Sequence, residues 1–182
     1  MCGRYYLEIS KKDMSFVDNI SNYNFETNYN ISPQSSVPAI IHNKLITTTW
    51  GYFPTWLQNQ DNPRPLFNSR YESLLEKRTF TSAFKNNRCL IPLSGWYEWK
   101  TEGEARQPYF FYDKNKSQLF AAGLYWNRSN GDIETSIITR EAFPPLDNIH
   151  NRSPIILTQT QIEVWLSEND VNQIYDDLKE ID

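Results

Sequence analysis

The sequence has few cysteines and histidines and contains no long apolar run. Its 182 residues include two cysteines, Cys2 and Cys89, so a disulfide framework is not expected. The two histidines and the separated cysteines show no metal-ligand spacing, so we predict no metal and no cofactor. No apolar stretch reaches membrane-spanning length, and MCGRYYLEIS lacks the apolar region of a secretory signal. We therefore expect a protein of the reducing cytoplasm with both thiols free.

The charge balance excludes some nucleic-acid binders but not all of them. A net charge of −4 with no basic tail argues against a protein that coats nucleic acid nonspecifically. A local basic groove stays compatible with this balance, because affinity depends on where the charges lie. Aromatic residues make up 15% of the chain. They suit either core packing or stacking on bases and sugars, and both interpretations stay open.

Periodicity predicts a single domain over residues 1–182 with many short strands and a few helices. Strands are predicted at 1–9, 44–53, 88–92, 95–100, 107–113, 118–126 and 134–139, with turns at 102–103, 114–115 and 130–131. Two helices are predicted at 10–23 and at 68–80, the second with a Ser69–Glu72 capping box. A third is predicted from Thr160, capped with Glu163, and a fourth from Asp170, with Ile174 and Leu178 on one face. This pattern indicates an α+β protein of mostly antiparallel strands with peripheral helices.

The opening MCGRY places Cys2 directly behind the initiator methionine. If Met1 is removed, Cys2 carries a free α-amine and a thiol on adjacent carbons, a pair that no other position in a chain offers. Cys89 provides a contrast, because RCLIP reads as a buried strand in which a thiol behaves as a small hydrophobe.

Three further polar positions interrupt apolar surroundings. Glu98 in GWYEWK lies between aromatics, which suits proton transfer if it is desolvated, although a strand edge facing water is equally compatible. His150 precedes a strand and suits acid–base work, while surface or capping roles stay open. Asn68 and Arg70 precede a predicted helix and suit either anion binding or simple capping.

Eight segments resemble, in order, those of the SOS response-associated peptidase (SRAP) family of abasic-site-processing proteins. They are MCGRY, YNISPQSSVPAI, TTTWGYFPTW, FNSRYES, RCLIPLSGWYEWK, FAAGLYW, SIITREA and IHNRSPIIL, and they span residues 1 to about 165. The resemblance implies a single α+β domain of curved, barrel-like sheet. It also implies that mature Cys2 forms a thiazolidine with the aldehyde of an abasic site in single-stranded DNA, shielding the site during the DNA damage (SOS) response.

The resemblance also assigns roles to individual residues. It implies catalytic roles for Cys2, Asn68, Glu98 and His150, and DNA contacts for Arg4, Trp50, Arg70, Thr139 and Arg152, with Trp56 assisting Trp50 in stacking. The sequence departs from the family pattern at Trp96, Ser69 and Ser153, where phenylalanine, alanine and methionine are common. None of these departures removes a reactive group.

Three functions therefore stay open. The first is a covalent abasic-site sensor acting on single-stranded or junction DNA, with associated AP lyase activity. The second is an N-terminal-cysteine peptidase or amidase, including self-processing, in which the amine activates the thiol. The third is a non-catalytic DNA-structure-binding module. In each case we expect a monomer without a membrane partner, associated with the nucleoid during DNA damage.

Overall fold

The computed structural model describes residues 2–57, 59–167 and 170–179. These residues contain eleven strands and three helices. The strands are β1 (Arg4–Leu7), β2 (Asn28–Ile31), β3 (Ser36–Ile41), β4 (Lys44–Trp50), β5 (Asn68–Arg70), β6 (Arg88–Leu93), β7 (Gly95–Glu102), β8 (Ala105–Phe111), β9 (Leu119–Asn127), β10 (Ile133–Glu141) and β11 (Arg152–Pro154). The helices are α1 (Arg78–Asn86), α2 (Gln159–Leu166) and α3 (Val171–Lys179).

Five strands close into a barrel in the order β10-β4-β3-β6-β9, and β9 returns to pair with β10. The β4–β10 pair is parallel and the other four pairs are antiparallel. Strands β5 and β11 extend the sheet from β10. Closure removes the exposed sheet edges, and β6 reads as an almost continuous buried run, RCLIPL, because both of its faces are covered.

A second sheet has the order β2-β1-β7-β8, and its inner face packs against the barrel. Strand β1 alternates between half-buried Arg4 and Tyr6 and fully buried Tyr5 and Leu7. Such alternation is typical of a sheet with one face on a core and the other on solvent. Tyr5 and Leu7 join a cluster of apolar residues from β3, β6 and β9, so the second sheet and the barrel share one core.

Trp50, at the end of β4, joins the two sheets. Its side chain is 0% exposed. The indole Nε1 donates a hydrogen bond to the Phe67 carbonyl oxygen at 2.9 Å, and its ring meets Tyr5 edge-on with centroids 5.0 Å apart. Trp50 therefore holds β1 against the barrel and fixes the position of this N-terminal strand.

The predicted fold class is confirmed, since the structure is α+β with a barrel-like, mostly antiparallel sheet. The buried strand around Cys89 is also present, and the final helix follows Asp170 with Ile174 and Leu178 buried. The β9–β10 hairpin turns around Asn130–Gly131 as predicted. None of the helices among the described residues is long and apolar enough to span a membrane.

Two predicted helices are wrong, and a third begins elsewhere. Residues 10–23 form successive turns, because the Asp18 amide bonds to the Asn43 carbonyl and so leaves the local helical pattern. The segment beginning at Asn68 is strand β5, since tertiary pairing with β10 outweighs the local capping-box pattern. The cap of α2 is Thr158 with Gln161, two residues before the predicted Thr160.

Replacing Trp50 with alanine should destabilise the fold strongly. We expect the free energy of unfolding to fall by about 3–5 kcal/mol, the range for truncating a fully buried large aromatic. Trp56 is the matched control, because it lies six residues away and is 55% exposed. Its alanine variant should change stability by no more than about 0.5 kcal/mol in urea unfolding. Equal losses in both variants would show that Trp50 does not join the sheets.

Candidate functional site

A cleft of about 350 Å³ lies where the second sheet meets the segment before β11. It is lined by Gly3, Arg4, Glu98, Trp99, Arg106 and His150. Gly3 directly precedes β1 and Arg4 begins it, Glu98 and Trp99 lie on β7, and Arg106 lies on β8. His150 comes from the turn that follows Leu146–Asn148. Residues more than 140 positions apart in sequence therefore meet in one place, with a carboxylate, an imidazole and two guanidinium groups around the cleft.

Cys2 lies beside this cleft, directly before β1, and is fully buried. Asn68 on β5 donates from Nδ2 to the Cys2 carbonyl oxygen at 2.9 Å, which fixes the backbone at that residue. Burial, together with the nearby charge of Glu98, raises the pKa of the Cys2 thiol well above its ordinary value. The thiol is therefore protonated at neutral pH.

Glu98 is buried on the inward face of β7, at 3% exposure, while its neighbours Tyr97 and Trp99 are only half-buried. The alternation predicted from GWYEWK is thus confirmed, and the solvent-facing alternative for Glu98 is excluded. Burial raises the pKa of the Glu98 carboxyl above its ordinary value, because a low-dielectric environment disfavours the carboxylate. A carboxyl whose pKa is raised keeps its proton to higher pH, can donate it, and can accept one once ionised.

His150 faces Glu98, with its Nε2 at 4.0 Å from the Glu98 Oε2. The Arg152 amide donates to His150 Nδ1 at 2.9 Å, so in the neutral ring Nδ1 is the acceptor and the proton lies on Nε2. Burial lowers the pKa of His150, and the charges of Arg152 and Arg106 lower it further. The ring is therefore neutral at pH 7, and its Nε2–H lies on the side of the carboxyl group.

Arg152 is held by Glu72. Its Nη1 and Nη2 donate to the two carboxylate oxygens of Glu72 at 2.6 and 3.0 Å, and Nη2 also donates to the Thr139 carbonyl at 2.6 Å. Glu72 further accepts a hydrogen bond from the Glu141 amide. A bidentate pair of this kind fixes orientation as well as charge. Because the Arg152 amide orients His150, Glu72 helps to position the imidazole.

The structure brings the four predicted catalytic residues to one end of the second sheet. Cys2 and Asn68 are joined by a hydrogen bond, and Glu98 and His150 face each other across the cleft. The Asn68 Oδ1 has no hydrogen-bond partner among the described residues. Asn68 therefore retains one acceptor after its amide nitrogen has bound Cys2.

The predicted DNA-contacting residues divide into two groups. Arg4 lines the cleft and donates to the Asn30 Oδ1 at 3.2 Å, and Arg70 is exposed. Trp50 and Thr139, which were expected to contact DNA, are each 0% exposed, so neither side chain presents a surface to DNA in this structure. Trp50 instead packs between the sheets, and Thr139 bonds to Arg152, because both strands run through the interior.

Sequence reasoning missed Arg106, Trp99 and Tyr5. Arg106 lies on β8 opposite Thr101, and only the β7–β8 register reveals that it returns to the cleft. The Tyr5 hydroxyl is buried without a hydrogen-bond partner among the described residues, and burial with the neighbouring Cys2 thiol raises the pKa of Tyr5. The alternation in MCGRYYL could have indicated an inward Tyr5.

Within the described ranges, no group of three or more histidine, cysteine, aspartate or glutamate side chains is placed to hold a metal ion. The side chains at the cleft offer one carboxyl and one neutral imidazole, with a cysteine beside them whose carbonyl is fixed. This set can transfer protons and, through Cys2, can form a covalent bond.

The protein is a closed barrel bearing a second sheet, with Cys2, the Glu98 carboxyl and the His150 imidazole at one end of that sheet. The chain belongs to the SOS response-associated peptidase (SRAP) family, whose model matches residues 1–181. It is 31% identical over 188 residues to the abasic site processing protein YoqW of Bacillus subtilis, covering 96% of this chain and 84% of that protein.

Other relatives agree with this assignment. The abasic site processing protein YedK of Escherichia coli is 29% identical over 185 residues, covering 92% of this chain and 80% of that protein. A crystal structure of a Bacteroides thetaiotaomicron protein matches with a TM-score of 0.82 and 25% identity, covering 97% of this chain and 86% of the other. The similarity therefore includes both the sequence and the whole described fold.

His150 should titrate below its ordinary value of 6.5 in NMR spectra recorded across a pH series. Arg106→Ala should raise this pKa, because removing a nearby cation makes the charged imidazolium less unfavourable. Arg106→Lys is the matched control and should leave the pKa close to that of the wild type. A His150 pKa unaffected by Arg106→Ala would show that the guanidinium is too distant to act on the ring.

Proposed function

We propose that this protein processes abasic sites in DNA and that Cys2, freed by removal of Met1, forms a covalent thiazolidine with the abasic aldehyde. The observation that carries the proposal is the meeting of Cys2, Asn68, Glu98 and His150 at one cleft. Met1 itself lies outside the described residues. The names of the relatives, which are abasic site processing proteins, support the substrate class.

The chemistry begins at the amine. An α-amine has a pKa near ~8, so a useful fraction is neutral at cellular pH. It adds to the C1′ aldehyde of the ring-opened sugar and loses one water, forming an imine. The Cys2 thiol then adds to the imine carbon, its proton passes to the nitrogen, and a five-membered thiazolidine closes. The net change is the loss of one water, with no oxidant or reductant.

Glu98 is suited to move the protons in this sequence. Its raised pKa lets it protonate the departing hydroxyl group during imine formation and then accept the proton of the thiol. Burial is the main cause of the raised pKa of the Cys2 thiol, and the charge of Glu98 raises it further, so the two groups are close enough to act on each other. We assign Glu98 as the proton donor and acceptor for both steps.

His150 and Asn68 serve the sugar and the cysteine. The neutral imidazole, with its proton on Nε2 beside Glu98, can donate to the ring oxygen as the sugar opens and can assist reversal of the cross-link. Asn68 holds the Cys2 carbonyl, and its remaining amide oxygen can accept a hydrogen bond from a sugar hydroxyl or the reacting amine.

The DNA backbone would be held by arginines around the cleft. Arg4 and Arg70 are accessible, and Arg106 adds a third guanidinium at the cleft wall. Arg152 contributes less directly, since Glu72 already binds its guanidinium. Trp56, at 55% exposure, offers the ring for base stacking that buried Trp50 does not. A single strand or a junction presents the unpaired bases that such contacts require.

The peptidase alternative is less well supported by this site. A cysteine peptidase attacks as the thiolate, whereas burial and Glu98 raise the pKa of the Cys2 thiol. In the cross-linking reaction the amine attacks first, so a protonated thiol is no obstacle.

The same imine intermediate permits AP lyase chemistry when the thiol closes the thiazolidine ring slowly. Formation of the thiazolidine would suppress this lyase reaction.

The first test is the intact mass of the protein, alone and after mixing with an oligonucleotide that carries one abasic site. We expect a mass without methionine and an adduct heavier by the oligonucleotide minus one water. Cys2→Ala should give no stable thiazolidine adduct. Cys89→Ala is the matched control, since it removes the other buried thiol and should cross-link like the wild type.

Three outcomes would contradict the proposal. Adduct formation by Cys2→Ala that survives heating would place the linkage elsewhere. A wild type that lacks methionine, forms no adduct and hydrolyses peptides in a Cys2-dependent way would favour the peptidase function. Binding of branched DNA without any covalent product would favour a non-catalytic module.

Glu98→Gln should slow adduct formation by about a hundredfold or more, the range for removing a positioned acid–base group. Affinity for DNA carrying a non-reactive abasic analogue should stay close to that of the wild type, because glutamine preserves the shape of the side chain. Single-turnover cross-linking rates across pH provide the measurement. An unchanged rate would remove Glu98 from the mechanism.

A further inference from the structure

The outer face of the second sheet carries a row of aromatic rings. Tyr29 on β2, Tyr6 on β1, Tyr97 on β7, Phe110 on β8 and Tyr112 just after β8 form what we call the aromatic face. Three of these side chains are largely open to solvent, with Tyr29 at 65%, Tyr112 at 57% and Phe110 at 39% exposure. Tyr6 and Tyr97 are half-buried between them. Core packing does not explain the three exposed rings at the two edges of this sheet.

The rings contact one another from edge to edge of the sheet. Tyr29 stacks on Tyr6 at 4.8 Å, and Tyr6 is 6.2 Å from Phe110. Phe110 then contacts Tyr97 at 4.8 Å and Tyr112 at 5.3 Å. The Tyr97 hydroxyl also donates to the Tyr29 carbonyl at 3.0 Å, which ties β7 to β2 across the face. The aromatic face is thus one connected array.

Gly95 makes room for this array. A Cβ at position 95 would lie 2.5 Å from the Phe110 ring, so any side chain there would push the ring away. Gly95 pairs with Tyr6 in the β1–β7 register, and its missing side chain lets Phe110 lie between Tyr6 and Tyr97. The position of the Phe110 ring in the aromatic face therefore depends on glycine at position 95.

The aromatic face is continuous with the cleft. Arg4 pairs with Tyr97, and Trp99 lies two residues beyond Tyr97 on the same face of β7. Arg106 lies on this face of β8, four residues before Phe110. Arg4, Trp99 and Arg106 also line the cleft. A strand bound in the cleft would therefore meet the aromatic face as it leaves.

The charged side chains of the aromatic face that lie nearest the cleft are cations, which attract an anion such as a phosphate. Arg4 and Arg106 stand where the aromatic face meets the cleft. Glu8 lies at the far end, where it accepts a hydrogen bond from the Tyr6 hydroxyl. Cations beside the cleft followed by stacked rings match the two requirements of single-strand binding, namely phosphate neutralisation and base stacking.

We propose that the aromatic face binds the unpaired bases of single-stranded DNA that flank the abasic site. The proposal deepens the function proposed above and rests on it for the identity of the strand in the cleft. Arg4 and Arg106 would hold the phosphates nearest the reacting sugar. The following bases would stack on the exposed rings of Phe110, Tyr112 and Tyr29. Arg106 to Tyr112 spans about 20 Å of extended chain, which is room for several bases.

The test measures binding of single strands of about four and about twelve nucleotides, with a non-reactive abasic analogue near one end or the other. Wild-type affinity should rise with length when nucleotides are added on one side. Tyr29→Ala and Tyr112→Ala should each weaken binding of the long strand by about fivefold to tenfold. Neither should change affinity for the short strand. Tyr29→Phe and Tyr112→Phe are the matched controls, because they keep the ring and should bind like the wild type.

A direct map uses the wild-type protein alone. A photoreactive 5-iodouracil placed several nucleotides from the abasic analogue should cross-link to Tyr29, Phe110 or Tyr112 on irradiation, as read by peptide mass spectrometry. Cross-links confined to residues away from the aromatic face would overturn the proposal, as would alanine variants that bind the long strand like the wild type. Concentration-dependent dimerisation that Tyr112→Ala abolishes, with unchanged DNA binding, would assign the face to a second copy instead.

The two proposals fail separately. In one result the wild type binds long strands more tightly and the alanine variants lose this gain, while no abasic adduct forms. That result would support DNA binding by the aromatic face and refute the covalent function. Normal adduct formation with no dependence on strand length would retain the covalent function and refute the aromatic face as a DNA-binding surface.

Discussion

The packing of Tyr5 against Trp50 is the contact on which the candidate site depends. Strand β1 has four residues, too few to hold a position by its own hydrogen bonds. The Tyr5 ring meets the fully buried Trp50 edge-on, and Trp50 is in turn fixed by its bond to the Phe67 carbonyl. Two residues before Tyr5 the chain reaches Gly3 at the cleft, and Cys2 is then held by Asn68. Core packing thus determines where Cys2 lies.

Desolvation gives the polar groups of the cleft their chemical character. Burial raises the pKa of Glu98 and lowers that of His150, so each group moves toward its neutral form. A carboxyl and an imidazole that face each other at 4.0 Å in this condition can exchange protons rather than form a permanent ion pair. The pair between Glu72 and Arg152 behaves differently, because Glu72 is exposed, its pKa is lowered, and the pair serves to orient. One site therefore contains a pair of groups shifted toward their neutral forms and an ion pair that fixes orientation, and the two differ in their exposure to water.

Much of the fold could be predicted from local pattern, and the failures have a common cause. Alternation in GWYEWK correctly put Glu98 on the face opposite Tyr97 and Trp99 but left open whether that face was buried, and the β-branched and aromatic runs indicated strands of the barrel. The segment around Asn68 failed because its parallel pairing with β10 is a contact across about seventy residues, which no local pattern encodes. The buried positions of Trp50 and Thr139 were missed for the same reason. A tryptophan or threonine looks alike in sequence whether its strand lies inside or outside the barrel.

The sequence by itself determined the residue types available for chemistry: a cysteine at position 2, a glutamate between aromatics, a histidine two residues before an arginine, and an asparagine before a serine. It also determined the strand-rich α+β class, because hydrophobic period is a local property. Only the tertiary structure decided that Glu98, His150 and Arg106 line one cleft and that Asn68 holds Cys2 beside it. It also decided that five rings of the second sheet form one surface. Those facts follow from strand order and register, and these are set by which faces can be buried together.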